Sequence, residues 1–369
     1  MLSRYEYETR EVEDSPQDGP CWIGIDGSRE GWCACIIGAN GDAELVFLPH
    51  IELIWYHRKP ENIRAIAIDM PLALASKAER GGRNCEREGR KILAAARKKA
   101  IAYSKEQDDP AYREGPFVGA TSIFTPPSRP ALEKFALGGT HAEVSEANRQ
   151  SANDTFNTVS SNTDQNRGKK RQKVAHKQEP GLGLSIQSFN IMPKILEVDD
   201  FIERGIQKNL LQFIPPTKGE KSNGKTFLFE CHPELAFLSY LAKHKEEELE
   251  NQRGFKSKKL KVGRIERIDV LKNSAPFKNH ESKKRAFRGL LCAVNVDDVL
   301  YSLSHKVTHH VFVRKKVTNA TPTDDVIDSM ICATTAKRFD TGKVIEIGGS
   351  STGGQRELDF RGVPMSIFV

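Results

Sequence analysis

Five carboxylates stand along the sequence in settings that suit metal chemistry. Asp26 ends the run CWIGID (21–26), Asp69 ends RAIAID (64–69) and Glu230 ends KTFLFE (225–230); Asp325 and Asp328 lie three apart in DDVIDSMICATTAKRF (324–339). A carboxylate at the tip of a buried strand is held rigidly. If the three strands are parallel neighbours, their tips share the edge where open α/β sheets place a ligand crevice. Residues three apart on a helix share a face, so Asp325 and Asp328 can point at that crevice. Like charges at close range raise one another's pKa. A divalent cation removes the conflict, and all-oxygen ligation selects Mg²⁺ or Mn²⁺ over zinc. Two such ions can activate a water and stabilise the leaving oxygen of a phosphodiester, with no nucleophilic side chain required. Simpler readings stand beside these: Asp26-Gly27 also suits a plain turn, and acids at 325 and 328 suit a helix N-terminus. His232 reads either as an outer-sphere proton carrier beside Glu230 or as a structural histidine.

The elements that must position these groups are legible in outline. Residues 21–48 read as a three-stranded meander, with Asn40-Gly41 as the hairpin turn between WCACIIG and AELVFL. RAIAIDMP, apolar on both faces, reads as a buried parallel strand, and Pro71 halts regular structure just past Asp69. RNCEREGRKILAAARKKAIAYSK (83–105) is strongly helix-forming, and SIFTPPSRP (122–130) is a proline-punctuated loop. GLGLSIQSFNIMPKILEVDDFIERGI (181–206) is a loop feeding a helix, and another helix follows His232-Pro233. Further helices are expected in GRIERIDVLKN (263–273), KRAFRGLLCAVNVDDVLYSLS (284–304) and the acid-bearing 324–339 segment, where Thr321-Pro322 supplies a cap and first-turn proline. KVIEIGG and MSIFV read as short closing strands. No Walker loop or nucleophile elbow is expected. The Gly-rich GGSSTGG (348–354), which follows a strand but precedes no obvious helix, reads as a flexible turn.

With 369 residues the chain is long enough for a sizeable core. The first twenty residues carry mixed charge and no apolar run, and read as a loose leader. No stretch reaches the ~18 apolar residues of a membrane span, so the protein is expected to be soluble. The seven cysteines are scattered, without a C-x-x-C pair, and fit small core residues in a reducing cytoplasm. The net charge is +7, with basic clusters at 168–177, at 253–267 (Arg253, Lys256, Lys258, Lys259, Lys261, Arg264, Arg267) and at 283–288. Such clusters fit a nucleic-acid partner or, equally, solvated faces and loops. Residues 141–180 are rich in Asn, Ser, Thr, Gln and Lys and read as a disordered insertion. Arg83, Arg87, Arg90, Arg129 and Lys194 are candidate phosphate contacts, with structural ion pairs as the alternative.

Eight segments in order, GIDGSREGW, IAIDMP, RNCEREGR, SIFTPPSR, GLSIQSFNIMPKILEVD, FECHPELAF, KKLKVGRIERIDVL and DDVIDSMICATTA, resemble the domain-of-unknown-function 429 family, described as predicted RNase H-like nucleases. The likeness spans residues 21 to about 340 without the polar insertion. Two positions depart from the family pattern: Glu86 stands where Asp is usual, and Ser28 where Cys often follows the first Asp-Gly. The resemblance implies an α/β fold of ribonuclease H/RuvC type, a mixed sheet with flanking helices in which a meander leads into parallel strands. It divides the chain into a leader (1–20), a first core part (21–140), the insertion (141–180) and a second core part (181–369). It also implies that Asp26, Asp69 and the Asp325/Asp328 helix, Asp328 above all, hold the metal, with Glu230 as an additional candidate. The expected activity is metal-dependent phosphodiester hydrolysis. A non-cleaving nucleic-acid-binding module and an ATP-dependent phosphotransferase on the same core remain as alternatives, and substrate type and oligomeric state stay open.

Overall fold

The computed structural model describes residues 19–29, 31–41, 43–106, 115–160, 182–214, 224–243, 245–274, 323–349 and 356–369. Strands β1 (Cys21–Ser28), β2 (Gly31–Gly38) and β3 (Ala43–Leu48) form the expected antiparallel meander. Gly41 sits at φ +85° and its N–H donates to Gly38 O (2.9 Å), so the Asn-Gly pair turns the chain as its permissive backbone allows. Strands β4 (Ile63–Ile68), β5 (Leu211–Gln212), β6 (Thr226–Glu230), β7 (Glu346–Ile347) and β8 (Ile367–Phe368) complete a mixed sheet. Its order is β3-β2-β1-β4-β6-β8-β7, with β5 also beside β6. β1, β4 and β6 run parallel at its centre. The Ile- and Ala-rich run of β4 and the Phe-rich run of β6 suit strands covered on both faces.

The longer helices are α1 (Asn84–Glu106), α2 (Arg129–Ala136), α3 (His141–Ser160), α4 (Met192–Gln207), α5 (Pro233–Leu241), α6 (Lys261–Asn273) and α7 (Thr323–Asp340). They cover both faces of the sheet. Ile23, Ile25, Ile66, Ile68 and Leu228 point to the face covered by Met192, Ile195, Val198, Phe201 and Ile202 of α4. Ala65, Ala67, Phe227 and Phe229 point to the other, where α7 lies. Val326, Ile327, Met330, Ile331, Ala333, Ala336 and Phe339 of α7 are all buried, because this helix is held between the sheet and the helices α5 and α6. A helix covered all round has no polar stripe to spare.

Helix α7 approaches the sheet closely at Gly24. A Cβ placed there would stand 2.0 Å from Ala333 N and 2.1 Å from Ser329 O. The missing side chain lets helix backbone rest on strand backbone.

The expected disordered insertion is corrected over its first part. Residues 141–160 form α3, although apolar side chains are few. Val144 is buried, but the docking is mostly polar: Asn148 accepts from Ser128 N (2.9 Å) and donates to Leu182 O (2.8 Å), and Ser145 Oγ accepts from Leu184 N (3.0 Å). Composition counts apolar surface and so overlooks a helix held by hydrogen bonds to loop backbone. Asn148→Ala should therefore lower unfolding free energy by about 2 kcal/mol, since two backbone groups lose their partner. Urea unfolding of the two proteins measures it, and a difference below about 0.5 kcal/mol would contradict the docking role. The remainder of that segment, 161–180, the leader through residue 18, the basic clusters at 168–177 and 283–288 and the helix expected at 284–304 lie outside the described residues.

Candidate metal centre

The parallel ladder sets the first two acids level. Ile25 pairs with Ile68, and Asp69 N donates to Ile25 O (2.9 Å), which carries the ladder one residue beyond β4. Asp26 and Asp69 are thus next neighbours, and alternation turns both away from the Ile25/Ile68 face. The face they share is the one α7 covers. With α7 seated on Gly24, Asp328 in its second turn reaches the same spot, and one oxygen each of Asp26, Asp69 and Asp328 lie within 4.8 Å of one another. Asp26 and Asp328 are buried and Asp69 half-buried.

All three carboxyls are pushed above the usual aspartate range, first by burial. Asp69 and Asp328 then raise Asp26, and Asp328 raises Asp69. Asp325 stands one turn back on α7, outside the group of three, and burial followed by Asp324 and Asp328 lifts its carboxyl to about 7. Lys258 answers part of this charge. Lys258 is ion-paired with Asp328 Oδ2, whereas Asp328 Oδ1 is buried without a hydrogen-bond partner. Burial opposes the Lys258 charge, but Asp328, Glu234 and Asp26 hold its ammonium above the ordinary lysine range.

Glu230 does not join the group. It pairs with Ile68, not with Asp69, and so faces the opposite side of the sheet. There Arg83 grips it in two places, Nη1 to Oε2 (2.9 Å) and Nη2 to Oε1 (2.6 Å), and Leu72 N donates to Oε2 (3.2 Å). Arg83 also bonds Glu86 (Nε to Oε1, 2.8 Å) and Ala73 O (2.6 Å). This buried cluster fastens the loop after Asp69 to β6 and α1.

The other candidate arginines are occupied in the same way. Arg87 bonds Glu79 (2.6 Å) and Gly82 O (2.5 Å). Arg90 bonds Ile123 O (3.0 Å), Gly81 O (2.5 Å) and Thr125 Oγ1 (2.8 Å). Arg129 forms a bidentate pair with Asp199 (2.6 and 2.9 Å). Arg83, Arg87 and Arg129 thus stand in ion pairs, in keeping with the ion-pair alternative, whereas Arg90 bonds two backbone carbonyls and a hydroxyl. Arg83 and Arg90 also line a cavity of about 570 Å³ fed by the loop that leaves β4 at Asp69. Lys194, by contrast, does flank the acids: its stem lies beside Gly27, and its ammonium donates to Gly31 O (2.5 Å) over the Trp32 ring, 4.3 Å from the centroid. Burial lowers its pKa, against the pull of Glu197, Asp26 and Asp325.

His232 caps the start of α5, away from the three acids. Its Nε2 lies 3.4 Å from Ser122 O, and Nδ1 is buried without a partner. Burial lowers its pKa from 6.5 to about 4. The unfolded chain therefore binds this proton at higher pH than the folded one, so stability is complete above pH 6.5 and declines as pH drops towards 4. At pH 5 the loss should be about 2 kcal/mol. Urea unfolding at pH 7 and pH 5 should show His232→Phe losing less stability than wild type; equal losses would refute a buried neutral imidazole.

Sequence reasoning missed two residues. Gly24 carries no chemistry, and Lys258 was one cation in a cluster of seven; no spacing marked either. Two short letter patterns also occur. GEKSNGKT (219–226) spells a P-loop, but Thr226 opens β6 instead of a helix and its hydroxyl is engaged by Pro60 O and Ile63 O (3.2 and 3.0 Å). A phosphate cradle needs the helix N-terminus that is missing here. Gly349–Gly353 spells a nucleophile elbow and lies largely outside the described residues.

Fold and site together define a mixed α/β protein with three converging aspartates at the carboxyl ends of two parallel central strands. The chain belongs to the DUF429 family, described as "Protein of unknown function (DUF429)", whose model matches residues 24–352. Neither a curated protein nor a solved structure matches the chain significantly. Among the described residues no helix is long and apolar enough to cross a membrane.

Proposed function

We propose that the chain is an RNase H-like nuclease in which Asp26, Asp69 and Asp328 hold Mg²⁺ or Mn²⁺ for phosphodiester hydrolysis. The observation that carries this reading is the convergence of three carboxylate oxygens within 4.8 Å at the ends of β1 and β4. The donor set fits the ion: it is all oxygen and three-fold acidic, its carboxyls are raised in pKa by burial and, at Asp26 and Asp69, by neighbouring carboxylates, and it includes a buried Asp328 oxygen with no partner among the described residues. A meander leading into parallel strands, with acids at strand tips and on a late helix, is the arrangement expected of the RNase H-like class. The bound ion would supply a water activated for attack and stabilisation of the leaving oxygen.

The chain's own residues do the rest. Asp26 and Asp69 are held by the ladder, Asp328 by the helix seated on Gly24. Lys194 and Lys258 stand beside the acids and suit an anionic backbone, and Arg264 bonds Lys258 O and Lys259 O (both 3.4 Å) in the loop that carries Lys258. The buried free cysteines suit a reducing, cytoplasmic setting. A second reading, a binding module without cleavage, is favoured by the Lys258–Asp328 pair, which offsets part of the charge at the site without a metal.

The test presents single-stranded, duplex, hybrid and branched nucleic acids with Mg²⁺, Mn²⁺ or chelator. Cleavage that requires the ion, with binding that weakens steeply as salt rises, is expected. Salt-dependent binding without cleavage would establish the binding module instead, and turnover of ATP a phosphotransferase.

A further inference from the structure

Lys258 is placed at the acids by the fold, not by a flexible side chain finding a partner. Its loop is over-determined. Arg267, fully buried, bonds Lys256 O (2.9 Å), Gly263 O (2.5 Å) and both oxygens of Glu234 (2.8 and 2.7 Å). Ser257 N donates to Pro116 O (2.8 Å), and a Cβ at Gly263 would stand 2.2 Å from Ser257 O. The loop so fastened delivers one ammonium to Asp328 Oδ2, and the charge acts on Asp26 and Asp69 as well. Three carboxylates collected in a buried place would repel one another without it.

We infer that Lys258 is an internal counter-cation of the acid site: it holds the three carboxylates together when no divalent ion is bound, and it competes with that ion for Asp328. This rests on the metal-binding reading above. A cation entering among the three acids can take Asp328 Oδ1, but Oδ2 is engaged by the ammonium, so the two positive charges would share one carboxylate. Repulsion between the ion and the ammonium on that shared carboxylate drives Lys258 off Asp328, and its partly exposed side chain has solvent to move into. The site is thereby protected from collapse when empty, at the expense of affinity for the ion.

Calorimetric titration of the full chain with Mn²⁺ tests the competition. Lys258→Met keeps the alkyl stem and removes the charge, and should bind Mn²⁺ about tenfold or more tightly than wild type, as expected for loss of one charged hydrogen-bonded competitor. Lys258→Arg keeps the charge and should stay within about threefold of wild type, as should Lys98→Met at an exposed position of α1. Unchanged or weaker binding by Lys258→Met, with wild type binding normally, would overturn the competition and leave the metal site standing. If no protein binds Mn²⁺ at millimolar concentration, the metal reading falls and takes this inference with it. Should Lys258→Met fail to unfold cooperatively, wild type alone decides: acylation of Lys258, read by peptide mass spectrometry, should rise several-fold on adding Mn²⁺. Unchanged or reduced labelling would refute release of the ammonium.

Discussion

Asp26→Asn should abolish metal-dependent cleavage, by at least a hundredfold, while the fold becomes no less stable. Asn keeps the shape of the side chain but withdraws the charge through which the carboxylate would hold a cation, and even supporting residues around a metal change affinity or activity by roughly 10- to 100-fold. The stability half follows from burial. The Asp26 carboxyl is raised by burial and by Asp69 and Asp328, so the folded protein takes up a proton here more readily than the unfolded chain. A raised carboxyl contributes stability that is complete below its ordinary pKa of 3.8 and is lost as pH rises through the higher folded value. At neutral pH the metal-free wild type therefore carries a repulsion that the Asn variant lacks. Urea unfolding at pH 5 and pH 8 should show wild type losing more stability with rising pH than Asp26→Asn. Added Mn²⁺ should raise the midpoint of wild type and hardly move that of the variant, since only a protein that binds the ion gains from it. Equal cleavage by both proteins would point to contamination and dispose of the nuclease reading.

Gly24→Ala should be the most disruptive single methyl group that can be added to this chain's central strands. The new Cβ would meet Ala333 N at 2.0 Å and Ser329 O at 2.1 Å, and both are backbone atoms of a buried helix. No rotamer relieves such a contact, so α7 must shift or the strand must bend. Overpacking of a core commonly costs about 1–3 kcal/mol, and the upper end applies where backbone has to move. The site feels the same displacement. Asp328 lies on the helix and Asp26 on the strand, so whichever yields, the 4.8 Å convergence that depends on both is disturbed. Thermal unfolding should show a midpoint several degrees lower, and Mn²⁺ titration should show weakened binding in whatever protein folds. A variant of wild-type stability and Mn²⁺ affinity would mean that α7 does not rest on Gly24.

Several features were decided by the sequence alone. The meander, its Asn-Gly turn, the doubly buried strands and the acid-bearing late helix each rest on local periodicity and turn chemistry, which act within a few residues; the expected Thr321-Pro322 cap lies outside the described residues. Asp26 and Asp69 were visible for the same reason, since a carboxylate at the end of an apolar strand is a local signal. Helix α3 was misread because its docking is by Asn148 and Ser145 hydrogen bonds to distant loop backbone, which apolar content does not report.

The choice among the acids belonged to tertiary structure. Glu230 ends its strand just as Asp69 does, yet β6 pairs one residue out of step, and a one-residue step in a strand sends the side chain to the other face. Register is set by the packing of whole faces, Ile and Leu against α4 and Ala and Phe against α7, and no single strand contains that information. Likewise an arginine at 83, 87 or 129 spells phosphate contact and ion pair equally well until its partner is in place. Lys258 and Gly24 became site residues only through contacts across 70 and more than 300 positions of chain, because the energy that selects them, a buried ion pair and a backbone approach, exists only once the helix has seated on the sheet.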